Sequence, residues 1–326
     1  MQKILVTGAT GFIGQAMVNT LHSQQIPVLA GVRQHSAAIS EDITQVELGE
    51  LATTTDHSAI ILNDVDIIIH TAARAHILHS TALEPLTEFR KVNTAGTLML
   101  AQQAVEAGVK RFIFISSIKV NGEFTHSGKP FTPEITDIPT DPYGLSKYEA
   151  EQGLMNLAKT TNMQVVIIRP PLVYGPGVKA NFANLVKWID RGIPLPFGAI
   201  NNKRSLIALD NLVSFIILCC HHPKAANEIF LVADEGDIST TQLLQKVAQA
   251  LGKKARLLPI PTTWMAFAAQ LIGKQNLSSR LFGSLQLDSS KAIDLLGWRP
   301  VVSIDEQLNS WLKEIPSNKF GIDKER

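Results

Sequence analysis

Near its N-terminus the chain reads Ile4-Leu5-Val6-Thr7-Gly8-Ala9-Thr10-Gly11-Phe12-Ile13-Gly14. The segment begins with an apolar run, continues with three glycines at intervals of three and passes into a helical pattern over residues 12–21. It therefore predicts a strand, a tight loop and a helix, in that order. Such a loop lets the backbone approach a pyrophosphate, to which the helix N-terminus donates N–H groups. In this context the pattern predicts a dinucleotide-binding loop made of Gly8, Thr10, Gly11, Phe12, Ile13 and Gly14.

Strands and helices are predicted to alternate through the first half of the chain. Helical patterns cover 85–107 and 143–160, and apolar runs predict further strands at 28–32, 45–48, 65–70, 111–115 and 164–168. Strands separated by helices pair in parallel, and strands that are apolar on both sides need helices on both faces. The sequence therefore predicts an α/β fold with a doubly wound parallel Rossmann sheet.

The regular alternation ends after Arg169-Pro170-Pro171, where proline and glycine become frequent. We expect residues 1–170 to form the NAD(P)-binding Rossmann domain, completed by returning segments near 205–235. Residues 171–316 are expected to form mainly a smaller, loop-rich α/β substrate lobe. The polar residues 317–326 are expected to be a frayed tail.

Composition excludes several classes of protein. The chain has 326 residues, and its 30 Lys+Arg against 29 Asp+Glu leave a net charge of +1, which is no electrostatic footprint for nucleic acid. No apolar run reaches the ~20 residues that a spanning helix needs, so stable membrane insertion is not expected. The N-terminus lacks the apolar core of a signal peptide, and we expect a cytoplasmic protein.

Two short segments invite other interpretations. The adjacent Cys219 and Cys220 suit a reducing cytoplasm, because neighbouring cysteines rarely form a structural disulfide. His221 and His222 follow directly, but side chains in a row fan outward instead of converging on one ion, so no metal site is expected. Residues 264–272 are apolar enough to touch a membrane surface, although we interpret them as a buried or subunit-facing helix.

A candidate catalytic group lies in the centre of the chain. Tyr143 and Lys147 are four residues apart and share a helix face, and Ser116 and Ser117 end the strand predicted at 111–115. A lysine ammonium about 5 Å from a phenol, at an effective dielectric of about 20, stabilises the phenolate by about 3 kcal/mol, or about two pKa units. The sequence therefore predicts a proton-transfer site in which Ser117 helps Tyr143 to bind the reacting oxygen.

The cofactor choice depends on the end of the second strand. Sites that prefer NAD usually carry an acid there, which accepts from the ribose hydroxyls. This strand ends in Val32-Arg33-Gln34, and Arg33 suits a 2′-phosphate. The pattern favours NADP(H) and leaves NAD(H) open, with a solvated surface residue as the alternative role for Arg33. Glu50, after the third strand, is a candidate for the adenine amino group.

Further motifs accompany these residues: His70-Thr71-Ala72-Ala73, Val92-Asn93 with Gly96-Thr97, Arg169-Pro170, Tyr174-Gly175-Pro176-Gly177 and Leu296-Gly297-Trp298-Arg299-Pro300. Together with the glycine loop, Ser116-Ser117 and Tyr143-x-x-x-Lys147, they resemble the extended short-chain dehydrogenase/reductase (NAD-dependent epimerase/dehydratase) family over nearly the whole chain. Within it the sequence is most similar to the subgroup of UDP-glucose 4-epimerase-like proteins and UDP-N-acetylquinovosamine 4-keto reductases.

This resemblance implies binding roles for more residues. A UDP-sugar substrate is expected to contact Ser117, Lys119, Asn181, Arg204 and Arg280, with a surface residue as the alternative role for Arg280. Arg204 matches the arginine that clamps the diphosphate. The cofactor is expected to contact, besides the glycine loop, Arg33 and Glu50, the residues Leu51, Thr71, Ala72, Ala73, Asn93, Tyr143, Lys147 and Pro170. The family also implies a homodimer, formed by packing the helices at 85–107 and 143–160 into a four-helix bundle.

Three reactions of nucleotide sugars share this scaffold. A 4,6-dehydratase of the family carries Asp-Glu after the catalytic hydroxyl, where this chain has Ile118 and Lys119, so dehydration is not expected. Arg33, and Asn121 where many epimerases have tyrosine, favour a reductase for a UDP-4-keto-6-deoxy-N-acetylhexosamine in surface-polysaccharide precursor synthesis. A UDP-glucose or UDP-GlcNAc 4-epimerase with bound NAD is the alternative.

Overall fold

The computed structural model describes residues 2–51, 62–75, 85–126, 128–178, 180–271 and 282–313. Its central sheet has seven strands in the order β3-β2-β1-β4-β5-β6-β9, all parallel. The strands are β1 (Ile4–Thr7), β2 (Val28–Val32), β3 (Gln45–Glu47), β4 (Ile67–His70), β5 (Arg111–Ile115), β6 (Gln164–Arg169) and β9 (Glu228–Leu231). A separate parallel pair consists of β7 (Leu172–Tyr174) and β8 (Leu206–Ala208). The predicted Rossmann sheet is confirmed.

Helices cover both faces of the large sheet. Ile4 and Val6 point into one apolar cluster and Leu5 into another, because alternate side chains of a strand face opposite sides. The first cluster is closed by α1 (Phe12–Ser23) and α6 (Leu209–His221). The second is closed by α3 (Thr97–Glu106) and α4 (Pro142–Thr160). Because helices cover both faces of the sheet, side chains on both sides of the strands are buried, and the strands are therefore almost wholly apolar.

The helix predicted at 85–107 is not uniform. It consists of α2 (Pro85–Phe89), a π-helical segment (Arg90–Gly96) and α3. Asn93 and Gly96 lie in the π-helical segment and are buried. Such segments are frequent at functional sites, and this one faces α4.

The second half of the chain supplies a third apolar cluster. It is formed around β7, β8, α5 (Ala180–Asp190), α7 (Thr240–Ala250) and α10 (Ile304–Leu312), with α8 (Thr262–Leu271) and α9 (Ser290–Leu296) as the remaining described α-helices. After β8 and α6 the chain returns to the large sheet, where β9 pairs with β6. Trp264, expected in a buried or subunit-facing helix, is 72% exposed and therefore is not buried within the chain.

A buried polar junction joins this region to the large sheet. Asp234, just after β9, accepts hydrogen bonds from the Tyr174 hydroxyl at 2.6 Å and from the Asn211 amide at 2.6 Å. Burial raises the pKa of Asp234, and these hydrogen bonds oppose that rise. No described helix is long and apolar enough to cross a membrane.

Candidate active site

The glycine loop packs tightly on the end of β4. Gly8 has a φ of +68°, and a Cβ there would lie 2.7 Å from the Ala72 backbone. A Cβ on Gly14 would lie 2.2 Å from the Gly8 carbonyl oxygen. Thr71 donates its hydroxyl proton to the carbonyl of Thr7 at 2.7 Å, which holds the segment after β4 against the loop. Glycine is therefore needed at these positions by the chain's own packing.

The start of α1 suits an anionic group. Gly11 is its N-cap, no side chain caps the helix and no acidic residue occurs in the first turn. The first N–H groups of a helix have no partner within the helix, and the helix dipole adds positive potential there. Gly8 to Gly14 and the start of α1 thus fit the pyrophosphate of NAD(P), at the carboxyl edge of β1 where the strand order reverses.

The residues predicted to select the dinucleotide lie beyond β2 and β3. Arg33 directly follows β2 and is exposed, and Glu50 is exposed after β3. Leu51 is buried against Gly96, where a Cβ would lie 2.9 Å from Leu51. Their cofactor contacts stay predictions.

Asn93 is hydrogen-bonded to two segments that border the site. Its Oδ1 accepts the Arg74 N–H at 2.9 Å, and its amide donates to the Arg74 carbonyl and to the Ser146 hydroxyl, each at 3.1 Å. Thr94 donates to the Ser146 carbonyl at 2.8 Å. Asn93 therefore fixes the segment after β4, including the predicted cofactor residues Ala72 and Ala73, relative to α4.

Ser117 and Tyr143 meet at the carboxyl end of β5. The Asp141 carboxylate caps α4 by accepting the Gly144 N–H at 2.8 Å, which places Tyr143 in the first helical turn. The Ser117 side chain lies close enough to the Tyr143 hydroxyl to lower its pKa. A Cβ on Gly144 would lie 2.6 Å from the Lys119 carbonyl, so only glycine allows this approach of helix and loop. The predicted pair of hydroxyls is thereby brought together.

Lys147 occupies a buried position on the same helix face. Its Nζ donates to the Ile115 carbonyl at 2.9 Å and lies 4.3 Å from the centroid of the Phe114 ring. Burial lowers the pKa of Lys147 to about 7, opposed by the nearby Glu151 carboxylate. The ammonium thus loses much of its charge near neutral pH.

The expectation that Lys147 lowers the pKa of Tyr143 is wrong in this structure. Burial raises the pKa of Tyr143 to about 12, with the Ser117 hydrogen bond lowering it and the Asp141 charge raising it. The physical reason is that Lys147 donates to the Ile115 carbonyl, and its own charge is disfavoured by burial. Spacing along a helix placed the two residues on one face but did not reveal the loss of solvent.

The predicted substrate residues have mixed positions. The Nζ of Lys119 lies 3.1 Å from the Asp141 carboxylate and 5.9 Å from the centroid of the Tyr143 ring, so Lys119 borders the site. Arg204 donates through Nη1 to the Gly283 carbonyl at 3.1 Å, and burial lowers its pKa. Arg280 and the tail 317–326 lie outside the described residues, as does the side chain of Asn181.

Pro170 links two parts of the site. Its carbonyl accepts the Ile118 N–H at 3.0 Å, which ties the turn after β5 to the turn after β6. This bond supports the loop that carries Ser117. The predicted contact of Pro170 with the cofactor stays a prediction.

This arrangement can be compared with known proteins. Residues 4–233 match the NAD dependent epimerase/dehydratase family. The chain belongs to this family. It is 48% identical over 306 residues to a UDP-glucose 4-epimerase of Vibrio cholerae, covering 94% of this chain and 93% of that protein. It is 28% identical over 263 residues to the N-acetyl-α-D-glucosaminyl-diphospho-ditrans,octacis-undecaprenol 4-epimerase of Escherichia coli O157:H7, covering 79% and 75%.

Solved structures show the same fold. The UDP-glucose 4-epimerase of Thermotoga maritima with UDP-glucose superposes with a TM-score of 0.73 at 23% identity, covering 96% of this chain and 98% of that one. RMD from Pseudomonas aeruginosa with NADPH has a TM-score of 0.72 at 21% identity, covering 96% and 99%. This chain is thus an enzyme of the epimerase/dehydratase family with the extended short-chain dehydrogenase/reductase fold.

One buried ion pair of this epimerase/dehydratase family member was missed by the sequence reasoning. Arg169 contacts the Glu151 carboxylate through Nε at 3.0 Å and Nη2 at 2.6 Å, and both side chains are almost completely buried. Ser116 donates to Glu151 at 2.5 Å, while Arg169 Nη1 donates to the Pro133 carbonyl at 2.8 Å and to Asn121 at 3.1 Å. The signal was present, because Glu151 repeats the four-residue spacing of Tyr143 and Lys147.

His70 is a second buried group next to Lys147. Its Nδ1 lies 2.7 Å from the Thr7 hydroxyl and its Nε2 lies 3.0 Å from the Thr97 hydroxyl. Burial, and to a lesser extent the charge of Lys147, lower the pKa of His70 to about 3. A neutral imidazole therefore joins β1, β4 and α3 over the physiological pH range and takes no proton from the site.

The ion pair gives a stability prediction. Glu151→Gln leaves the Arg169 charge buried without its counter-ion, so we expect the free energy of unfolding to fall by about 3–5 kcal/mol. Glu149→Gln is the matched control, since it breaks the exposed pair with Arg90 and costs ~1 kcal/mol or less. Urea unfolding of both variants measures the difference. Equal losses of unfolding free energy in the two variants would show that the buried ion pair contributes no more to stability than the exposed pair.

Lys147 gives a pH prediction. In the folded chain its ammonium should titrate near pH 7 instead of near 10.5, as followed by the NMR shift of its labelled Cε and assigned with Lys147→Met. Between these pH values the unfolded chain binds more protons, so this group makes stability rise with pH across that window. Glu151→Gln should move the midpoint lower, because the carboxylate favours the ammonium. A midpoint above pH 9 would contradict the expectation.

Proposed function

We propose that this enzyme is a 4-epimerase acting on a UDP-linked hexose. The observation that carries the proposal is the approach of the Ser117 and Tyr143 side chains at the carboxyl end of β5, beside the buried Lys147. Two hydroxyls at one point can bind a single substrate oxygen and move its proton. The name of the Vibrio cholerae relative, 48% identical over most of the chain, supports epimerisation.

The neighbouring positions support chemistry at one carbon only. Ile118 is buried and apolar, and Lys119 is cationic and paired with Glu123 and Asp141. Neither brings the acid and base that removal of water across a second carbon requires. At the reacting oxygen, oxidation and reduction at C4 require only the Ser117 and Tyr143 hydroxyls, with NAD(P) as the hydride acceptor and donor.

NAD(P) held by the glycine loop Gly8–Gly14 and the start of α1 would supply the hydride acceptor and donor for C4. Tyr143 takes the proton of the C4 hydroxyl as the keto group forms and gives it back on reduction, while Ser117 hydrogen-bonds the same oxygen. A phenol with a pKa of about 12 is a poor base at neutral pH. We infer that the Lys147 ammonium exchanges its bond to the Ile115 carbonyl for contacts nearer the phenol during turnover.

The substrate and the assembly are part of the same proposal. UDP-glucose is the first substrate to test, since the Vibrio cholerae relative is named for it. Arg204, Asn181, Arg280 and Lys119 are the proposed contacts of its nucleotide and phosphates. A homodimer through α3 and α4, a cytoplasmic location and a place in surface-polysaccharide synthesis follow from the family resemblance.

Reduction of a UDP-4-keto-6-deoxy-N-acetylhexosamine is the second candidate. Arg33, exposed directly after β2, suits NADPH, a co-substrate consumed in each cycle of a reductase. Asn121 accepts from Arg169 and donates to the Thr132 carbonyl at 2.8 Å, so it belongs to the support of the Ser117 loop. The sequence alone favoured this reaction, and the named relatives favour the epimerase.

Tyr143→Phe tests the proposed reaction directly. With UDP-glucose and no added reductant, the wild-type enzyme should form UDP-galactose, measured by chromatography. The variant should lose at least about 100-fold in rate, because proton transfer through the phenol is removed, while NAD(P) binding by calorimetry is unchanged. Tyr148→Phe, on the same helix, is the control and should retain full activity.

Two outcomes would change the assignment. Retention of more than about a few per cent of activity in Tyr143→Phe would remove this residue from the mechanism. Absence of UDP-galactose, with stoichiometric oxidation of NADPH by UDP-4-keto-6-deoxy-N-acetylglucosamine, would establish the reductase instead.

Arg33→Ala tests the cofactor preference. If Arg33 binds the 2′-phosphate, NADP(H) affinity should fall about tenfold or more, because a charged hydrogen bond contributes roughly 1.5–3 kcal/mol. NAD(H) affinity should not change, and Gln34→Ala at the neighbouring exposed position serves as the control. Calorimetric titration with each dinucleotide measures both. An equal loss of affinity for NADP(H) and NAD(H) would show that Arg33 does not bind the 2′-phosphate.

A further inference from the structure

The backbone of Lys119 contacts both halves of the catalytic pair. Lys119 lies in Ile118–Val120, a single turn of 3-10 helix directly after Ser117. Its N–H donates to the Ser117 Oγ at 3.3 Å. Its carbonyl oxygen lies against Gly144, where a Cβ would be only 2.6 Å away. This backbone therefore fixes the separation between the turn that carries Ser117 and the start of α4, which carries Tyr143.

The Lys119 side chain crosses the same gap. Its Nζ lies 3.1 Å from the Asp141 carboxylate, 3.2 Å from the Glu123 carboxylate and 5.9 Å from the centroid of the Tyr143 ring. The side chains of Lys119 and Asp141 are only 28% and 26% exposed. Opposite charges that are partly withdrawn from water attract each other more strongly than charges on an open surface.

Asp141 connects the Lys119 ammonium with Tyr143. One of its carboxylate oxygens accepts the Gly144 N–H and caps α4, and the other is bound by Lys119. The same carboxylate places a negative charge two residues before the phenol. Burial is the main cause of the raised pKa of Tyr143, and the Asp141 charge raises that pKa further. Asp141 is therefore favourable as a helix cap and unfavourable as a neighbour of the phenol.

Other groups that face Tyr143 or its helix do not offset this charge. On α4, Lys147 donates to the Ile115 carbonyl at 2.9 Å. From α2, the uncharged Phe89 ring lies 5.8 Å from the Tyr143 ring. From β4, His70 lies next to Lys147 and is kept neutral mainly by burial.

Two arginines from elements packed against α4 are paired with other carboxylates. Arg90, in the π-helical segment, is paired with Glu149, and Arg169, at the end of β6, is paired with Glu151. Within the described part of the chain, the cation paired with Asp141 is Lys119.

We propose that Lys119 is a positioning residue for Tyr143 and acts through its ion pair with Asp141. The pair holds the carboxylate at the N-terminus of α4 and offsets its charge beside the phenol. The position of the ammonium near the Tyr143 ring favours the phenolate in the same sense. This inference rests on the proposed function, in which Tyr143 takes the proton of the substrate hydroxyl.

This role differs from the substrate contact that the family resemblance implies for Lys119. A contact made equally in the ground state and the transition state would make Lys119→Met raise KM for UDP-glucose and leave kcat unchanged. Action through Asp141 instead lowers kcat and shifts the ionisation of Tyr143. The two roles can therefore be separated by measurement.

NMR titration of the full chain tests the inference without turnover. The chain has three tyrosines, so labelling of tyrosine Cζ gives three signals, and Tyr143→Phe identifies that of Tyr143. A pKa of about 12 leaves roughly one tenth of Tyr143 ionised at about pH 11. Asp141→Asn, which keeps an oxygen for the helix cap, should raise this fraction to about one half. Lys119→Met should lower it to about one hundredth, because the Asp141 charge is no longer offset.

Rates of UDP-glucose epimerisation provide the second measurement. Lys119→Met should lower kcat about tenfold near neutral pH, which corresponds to a rise of about one unit in the pKa of Tyr143. In the Asp141→Asn background the same substitution should lower kcat less than about twofold, since the charge that Lys119 offsets is gone. A merely structural role of Lys119 would lower kcat by the same factor in both backgrounds.

Two variants serve as matched controls. Lys119→Arg keeps the positive charge and should retain kcat within about threefold of the wild type. Glu123→Gln removes the other carboxylate bound to Lys119 and leaves the cap of α4 intact. It should leave the ionised fraction of Tyr143 as in the wild type.

Three results would overturn the inference. They are an unchanged ionised fraction of Tyr143 in Lys119→Met, an equal loss of kcat with and without the Asp141 carboxylate, and a change in KM alone. Absence of UDP-galactose with the wild-type enzyme would instead overturn the proposed epimerisation. The NMR titration would still decide whether Lys119 acts on Tyr143, so the two failures are distinguishable.

Discussion

The buried ion pair between Glu151 and Arg169 is the interaction on which the site depends. It joins α4, which carries Tyr143 and Lys147, to the end of β6, and Ser116 binds the same carboxylate. Two buried charges are tolerated only where they are paired and fully hydrogen-bonded, which leaves this region few alternative arrangements. Helix, strand and Ser117 loop are consequently fixed relative to one another before any substrate arrives.

Local patterns were sufficient to predict most of the fold. The strands at 28–32 and 111–115 were predicted with their observed limits, because continuous apolar runs bounded by turns have few other structures. The π-helical segment at Arg90–Gly96 was not predicted, since an apolar helical pattern does not distinguish i→i+5 from i→i+4 bonding. It depends on the packing of Asn93 and Gly96 against neighbouring segments.

The site was predicted in its residues but not in its electrostatics. The spacing of residues in the sequence predicted a site made of Ser117, Tyr143 and Lys147, and the structure brings these three residues to one strand end. Their pKa values depend on solvent exclusion and on contacts between distant segments, such as Lys147 with the Ile115 carbonyl. Residue spacing along the sequence says little about solvent exclusion or about contacts between distant segments.

The position of β9 late in the chain has a consequence for folding during synthesis. β6 ends at Arg169, and its outer neighbour begins at Glu228, after the intervening β7 and β8 have been made. Until then a ribosome-bound chain exposes the backbone N–H and C=O groups of β6 along one edge, which invites pairing with other chains. The Rossmann half therefore cannot finish folding during synthesis ahead of the second half. A product that stops before residue 228 is a candidate for aggregation or proteolysis.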